Sequence, residues 1–206
     1  MVFDVPEGTQ LAAIVGALAA RSPRPPLLAA APALPEVLAG VNEKTIGGLS
    51  GAPAPDASGA RALAAALHLW NDDVPRALEC LASDEGPLSL YLQSVLHRRQ
   101  GDWATAREWA CLAGPAPFAA DLRTAAMTIL WERPEPLAKR LHLALRSLDG
   151  WPAEAFVGWV SSYRAEEEDW AALREPLERI QEIELALLAY AAYRAALVAP
   201  EGAAGP

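Results

Sequence analysis

Residues Tyr91 to Gly114, YLQSVLHRRQGDWATAREWACLAG, constrain the fold more tightly than any other stretch. An apolar helical stripe runs to Gln100, a lone glycine follows at Gly101, and Asp102 opens a second stripe. Glycine reaches the left-handed backbone that a tight helix-to-helix turn needs. An aspartate placed after it accepts the orphan N–H groups of the next helix. The same design recurs upstream. Leu67-His68, Asp73, Ala77 and Glu79 stand 29 residues before Leu96-His97, Asp102, Ala106 and Glu108, with no gap. This echo predicts two antiparallel helical hairpins in tandem, over 59–70, 73–83, 87–100 and 102–113.

The flanking segments also read as helix. Thr9 caps a first helix with Leu11, Ile14, Val15 and Leu18 on one face, and the proline run from Ser22 to Pro26 stops it. Short helices are expected over 27–31 and 35–39. The stretch 41–57 is Gly, Pro, Ala and Ser with few large apolar residues, so it reads as a linker. Helices follow over 118–132 and 137–148, and then to about Tyr163. The last helix is expected to begin near Glu166, with Glu166, Glu167, Glu168 and Asp169 in its first turn. From Ile183 to Val198 it is apolar nearly all round, with Glu184 and Arg194 its only charges, so it should be buried on most sides. No segment alternates with period two. The fold class is all-α: antiparallel helical hairpins packed with a long buried C-terminal helix. The expected organisation is an N-terminal helix plus Pro/Gly-rich linker over 1–57, a helical-hairpin core over 58–200 and a disordered tail over 201–206.

The net charge of −9 argues against nucleic acid and against an anionic membrane surface as partners. The apolar run Leu185 to Ala199 is broken by Arg194 and is too short to span a bilayer. Asp4 and Glu7 stand where a signal peptide carries Lys or Arg, which makes the cytoplasm the expected compartment. Cys80 and Cys111 lack metal-ligand spacing. With no GxSxG, P-loop or dinucleotide glycine pattern, no cofactor is expected.

The segment Leu69-Trp70-Asn71-Asp72 through Gly114 resembles an uncharacterised bacterial and fungal family of helical proteins. Its hallmark reads approximately HRREGDxxNAxYWxRRAG. The matching residues are His97, Arg98, Arg99, Gly101, Asp102, Ala106, Trp109 and Ala113-Gly114. Thr105, Glu108 and Gln93 depart from the family's asparagine, tyrosine and preceding histidine. The resemblance implies a helical fold and no established activity. Gly101, Trp103, Ala106 and Ala113 also look tetratricopeptide-like, although 29 residues fall short of that repeat's period of about 34.

Two functional readings follow. In the first, the chain is a non-catalytic helical module that presents a groove between its hairpins to a protein or peptide; a structural subunit whose exposed apolar helix makes a homodimer is a further option. In the second, His68, His97, Arg98, Arg99 and Asp102 surround one pocket for a small ligand or substrate. Against the second, a histidine near a helix end satisfies carbonyls there. Arg98 or Arg99 is also expected to pair locally with Asp102, Glu108 or Asp73. Gly101, Asp102, Trp103, Ala106 and Trp109 form the structural hallmark of the turn. Trp70, Trp103, Trp109, Trp151 and Trp159 are expected to pack in the core.

Overall fold

The computed structural model of the chain describes residues 5–51, 55–82, 86–164 and 170–197. Among them all regular structure is helical: α1 (Gln10–Ala19), α2 (Ile46–Ser50), α3 (Ala57–Trp70), α4 (Val74–Leu81), α5 (Pro87–Gln100), α6 (Trp103–Ala113), α7 (Ala119–Trp131), α8 (Pro136–Arg146), α9 (Ala153–Arg164) and α10 (Arg174–Leu197). A single 3₁₀ turn, Ala171–Leu173, leads into α10. The expected acidic first turn at 166–169, the residues 83–85 and the tail 201–206 lie outside the described residues.

α3–α4 and α5–α6 are the two expected hairpins, and their turns share one geometry. Gly101 has φ +83° and Asp72, its counterpart 29 residues earlier, has φ +66°. In both turns the following aspartate donates its backbone N–H to the histidine carbonyl five residues back, Asp73 to His68 at 2.9 Å and Asp102 to His97 at 3.0 Å. Its carboxylate then accepts from the new helix, Asp73 from Arg76 N–H at 3.3 Å and Asp102 from Thr105 N–H at 3.2 Å. The sequence echo is thus an echo of turn chemistry.

α10 packs chiefly along α3. Its buried stripe includes Leu177, Ile180, Leu185, Leu187 and Leu188, while Ala191 is only partly covered. The two helices approach so closely at Gly59 that a Cβ there would sit 2.4 Å from the backbone nitrogen of Ala196. Asp56 ties the same corner by donating its N–H to the Ala196 carbonyl at 2.9 Å. α7 pairs with α8, and α9 lies against α6. Of the tryptophans expected inside, Trp70 and Trp151 are buried, Trp103 and Trp159 are half-buried against the core, and Trp109 is half-buried on α6.

The N-terminal third adds a helix and a strap. Residues 27–31 are irregular and 35–39 are turns rather than the expected helices, because successive prolines interrupt helical bonding and leave 35–39 with i to i+3 bonds such as Val37 N–H to Leu34 O. The strap is nevertheless bonded to the hairpins. Ala29 N–H donates to Arg99 O and Ala33 N–H to Asn71 O, both at 3.0 Å. Asn71 closes a two-way bond with the Leu34 backbone. The stretch 41–51, linker-like in composition, buries Val41 and Ile46 in the common core and includes α2. What few large apolar side chains it has point inward.

α1 is different in kind. It buries Leu11, Ile14, Val15 and Leu18, while Ala13, Gly16 and Ala19 are exposed and Ala12 is partly so. A Cβ at Gly16 would meet nothing within 4 Å. Mid-helix glycine costs about 1 kcal/mol relative to alanine, and nothing inside the fold requires it here. No helix among the described residues is long and apolar enough to cross a membrane.

Candidate functional site

The last turn of α5 carries His97, Arg98 and Arg99, and neighbouring positions on a helix diverge by roughly 100°. Arg98 therefore points to α10, where it meets Glu184 through both terminal nitrogens. Tyr91 donates its hydroxyl to the same carboxylate at 2.7 Å, and the Phe156 ring lies 4.5 Å from the guanidinium carbon. Arg99 points the other way. It donates to Asp72 and to Leu69 O, and reaches Pro26 O on the strap at 3.0 Å. Arg21 binds the other oxygen of Asp72 at 2.6 Å and Trp70 O at 2.7 Å.

These five ionic side chains are at most 4% exposed. Three arginines face two carboxylates, and backbone carbonyls solvate the excess charge. Two of those carbonyls, Leu69 and Trp70, end α3, where unbonded C=O groups and the helix dipole favour cations. The expected local pairs with Asp73, Asp102 or Glu108 do not form; Arg98 and Arg99 reach instead to residues 86 and 27 positions away. Burial pushes the Tyr91 hydroxyl well above its ordinary value, and the neighbouring Glu184 charge adds to the rise. Burial pulls Arg99 down, opposed by Asp72.

His68 and His97 share a register and a role. His68 Nδ1 lies 3.6 Å from Asp73 and His97 Nδ1 lies 3.4 Å from Asp102. His68 also bonds Val41 O through Nε2 at 3.0 Å, which fastens the 41–51 stretch to α3. Each histidine thus lies beside the capping aspartate of its own turn. Around Gly101, the nearest atoms to a Cβ would be the Trp103 ring at 3.7 Å and Leu28 at 3.9 Å. Ala106 is fully buried, and its carbonyl accepts from Ser94 at 2.8 Å.

Hydrogen bonds from Thr105 hold the Asp102 carboxyl below its ordinary value, with His97 assisting. A depressed folded-state value means that this carboxylate stabilises the fold above the unfolded pKa, and that the contribution is lost as pH falls through the folded value. Asp102→Ala is therefore expected to lower the melting temperature at neutral pH. Asp102→Asn should retain most of the stability, because asparagine also caps. The gap between wild type and Asp102→Ala should narrow in acid. Thermal melts of the three proteins across pH check this, and an Asp102→Asn protein as unstable as Asp102→Ala would rule out the capping role.

Of the five residues with a proposed ligand role, His97 and Asp102 lie side by side, while Arg98 and Arg99 turn away to α10 and to Asp72. A cavity of about 400 Å³ beside His68 is lined by Arg61, Arg76, Glu79 and Cys80 among others, and by none of the other four. Burial pushes the Cys80 thiol up to about 11, which keeps it protonated. Among the described residues no three His, Cys, Asp or Glu side chains gather as metal ligands. A larger opening lies elsewhere. Between α1, α7 and α10 runs a groove of about 990 Å³, walled by Val15, Ile183, Ala186, Leu187 and Tyr190, with Asp121 and Glu182 among its lining. No residue-level signal in the sequence singled it out, since its small side chains look like ordinary helix filler.

No family model matches the chain, and no curated protein or solved structure matches it. The hallmark likeness of 97–114 stands on those residues alone. Within them, Arg98 bonds to α10, and Arg99 to the strap and to the α3 terminus.

Proposed function

We propose that the protein is a non-catalytic helical interaction module of the cytoplasm. Its docking surface is the groove between α1, α7 and α10, and the echoing hairpins are the frame that supports it. The observation that carries this reading is a contrast. The hallmark arginines are consumed by internal partners, whereas an apolar groove of about 990 Å³ stands open beside an uncharged helix. Apolar openings rimmed by polar groups are the usual form of protein-binding surfaces. The cysteines Cys80 and Cys111, both free, accord with a reducing compartment. The cavity beside His68 is what a small-ligand reading would use instead.

The test is site-specific photo-crosslinking in the host cell. A photoreactive residue at Ala186, in the groove, is expected to give one discrete protein adduct. The same residue at Arg146, exposed on α8, should give none. Absence of a protein adduct at Ala186, together with a small molecule retained by the purified chain, would replace this reading with the small-ligand one.

A further inference from the structure

Resting on that reading, we infer that the groove receives an α-helix of another protein. That helix carries a seam of small apolar residues and a flank of lysine or arginine, and it crosses α1 at Gly16. Three observations meet here. Gly16 is exposed, a Cβ on it would touch nothing within 4 Å, and it weakens α1 without serving any internal contact. Ala12, Gly16 and Ala19 all line the groove, at helical spacing, so apart from Val15 the α1 side of it is built of small residues. Inside the protein the same device operates at Gly59, where the missing side chain lets α10 come into backbone contact with α3. A missing side chain at Gly16 serves close approach in the same way, but the approaching backbone must come from outside.

The second observation is the opposite wall. Ile183, Ala186 and Leu187 of α10 offer aliphatic surface, so the matching face is apolar. The third is charge. The charged side chains lining the groove, Asp121 and Glu182, are both acidic. Glu182 has Arg24 at 3.0 Å, while Asp121, though favourably placed in the first turn of α7, has no ion pair among the described residues. A cationic flank satisfies this rim. A second copy does not, since it would bring its own Asp121 and Glu182 and another net charge of −9. The occupant is therefore a helix of another protein.

The experiment uses the full chain and two labelled helical peptides of about 20 residues. They share one Ala/Leu seam and differ only in flank, lysine in one and glutamate in the other. Fluorescence anisotropy should show the lysine peptide binding at least about ten-fold more tightly, with the ratio shrinking as salt is raised. Gly16→Leu should weaken that binding at least about ten-fold while leaving the melting temperature unchanged or higher, because leucine favours helix and has room. Asp121→Asn should reduce the preference between the peptides. Equal binding of the two peptides, binding of neither, or indifference to Gly16→Leu would each overturn the inference. So would a wild-type dimer in sedimentation that Gly16→Leu converts to monomer, since a second copy would then occupy the face. A protein adduct at Ala186 alongside any of these results would leave the interaction module standing and remove only the basic helix.

Discussion

Glu184→Leu is expected to destabilise the protein by about 3–5 kcal/mol, the range seen when one partner of a buried ion pair is removed. The Glu184 side chain is 0% exposed and the Arg98 side chain 1%, so the stranded guanidinium has no route to water. The Tyr91 hydroxyl loses its acceptor in the same step. Arg98→Met together with Glu184→Leu should recover most of the loss, because neither charge then remains to be desolvated. Tyr91 would still lack a partner, leaving a residual cost of about 1–3 kcal/mol. Chemical denaturation of the single and double variants measures both. A single variant within about 1 kcal/mol of wild type would mean that this pair is not sealed from solvent.

Gly59→Val is expected to cost about 3 kcal/mol, through overpacking of backbone against backbone. The Cβ would overlap Ala196 N, Ala196 Cα and Ala195 C at 2.4–2.6 Å, and no side-chain rotation relieves such a contact. Since α3 and α10 form the largest helix pair, separating them loosens the core on both sides. Even Gly59→Ala should melt well below wild type. Gly16→Ala is the internal control, expected to stabilise by about 0.4–1 kcal/mol. If both glycine-to-alanine variants melted alike, the tight crossing at Gly59 would be refuted.

The hairpins were legible in the sequence because turn chemistry is local. Gly101 and Asp102 announce a left-handed residue followed by a cap, and the echo placed Asp73 at the start of its own helix. The burial of α10 from Ile183 on was legible too, since a helical stretch with only Glu184 and Arg194 as charges has nowhere else to go. The partners of Arg98 and Arg99 were not. Sequence proximity favoured Asp102, Glu108 and Asp73, whereas the structure uses Glu184, 86 residues from Arg98, and Asp72. One signal was available for the first: Glu184 is the one carboxylate in the apolar stretch from Ile183 on, and a buried carboxylate needs a cation. Asp72 gave a weaker one, standing where the second turn has Gly101. The strap was masked by its prolines, which predict irregular backbone but not where it lies. The groove was masked because Ala12, Gly16 and Ala19 mark close approach only when the opposite wall is known.

The bond from Arg99 to Pro26 bears on how the molecule comes apart. In a chain built of stacked hairpins, each unit depends only on its neighbours, and the ends can unravel one at a time. Here Arg99, at the foot of the second hairpin, is sealed by the turn of the first at Asp72 and by a carbonyl 73 residues earlier. Gln181 of α10 grips the same carbonyl at 2.8 Å. Peeling away the strap would take the Pro26 carbonyl from Arg99 and uncover its pair with Asp72, and lifting α10 would strand Arg98. The hairpins look modular in sequence, yet neither end of the chain can fray far without exposing a charge that the other end helps to bury. Unfolding should therefore proceed as one concerted event spanning both ends.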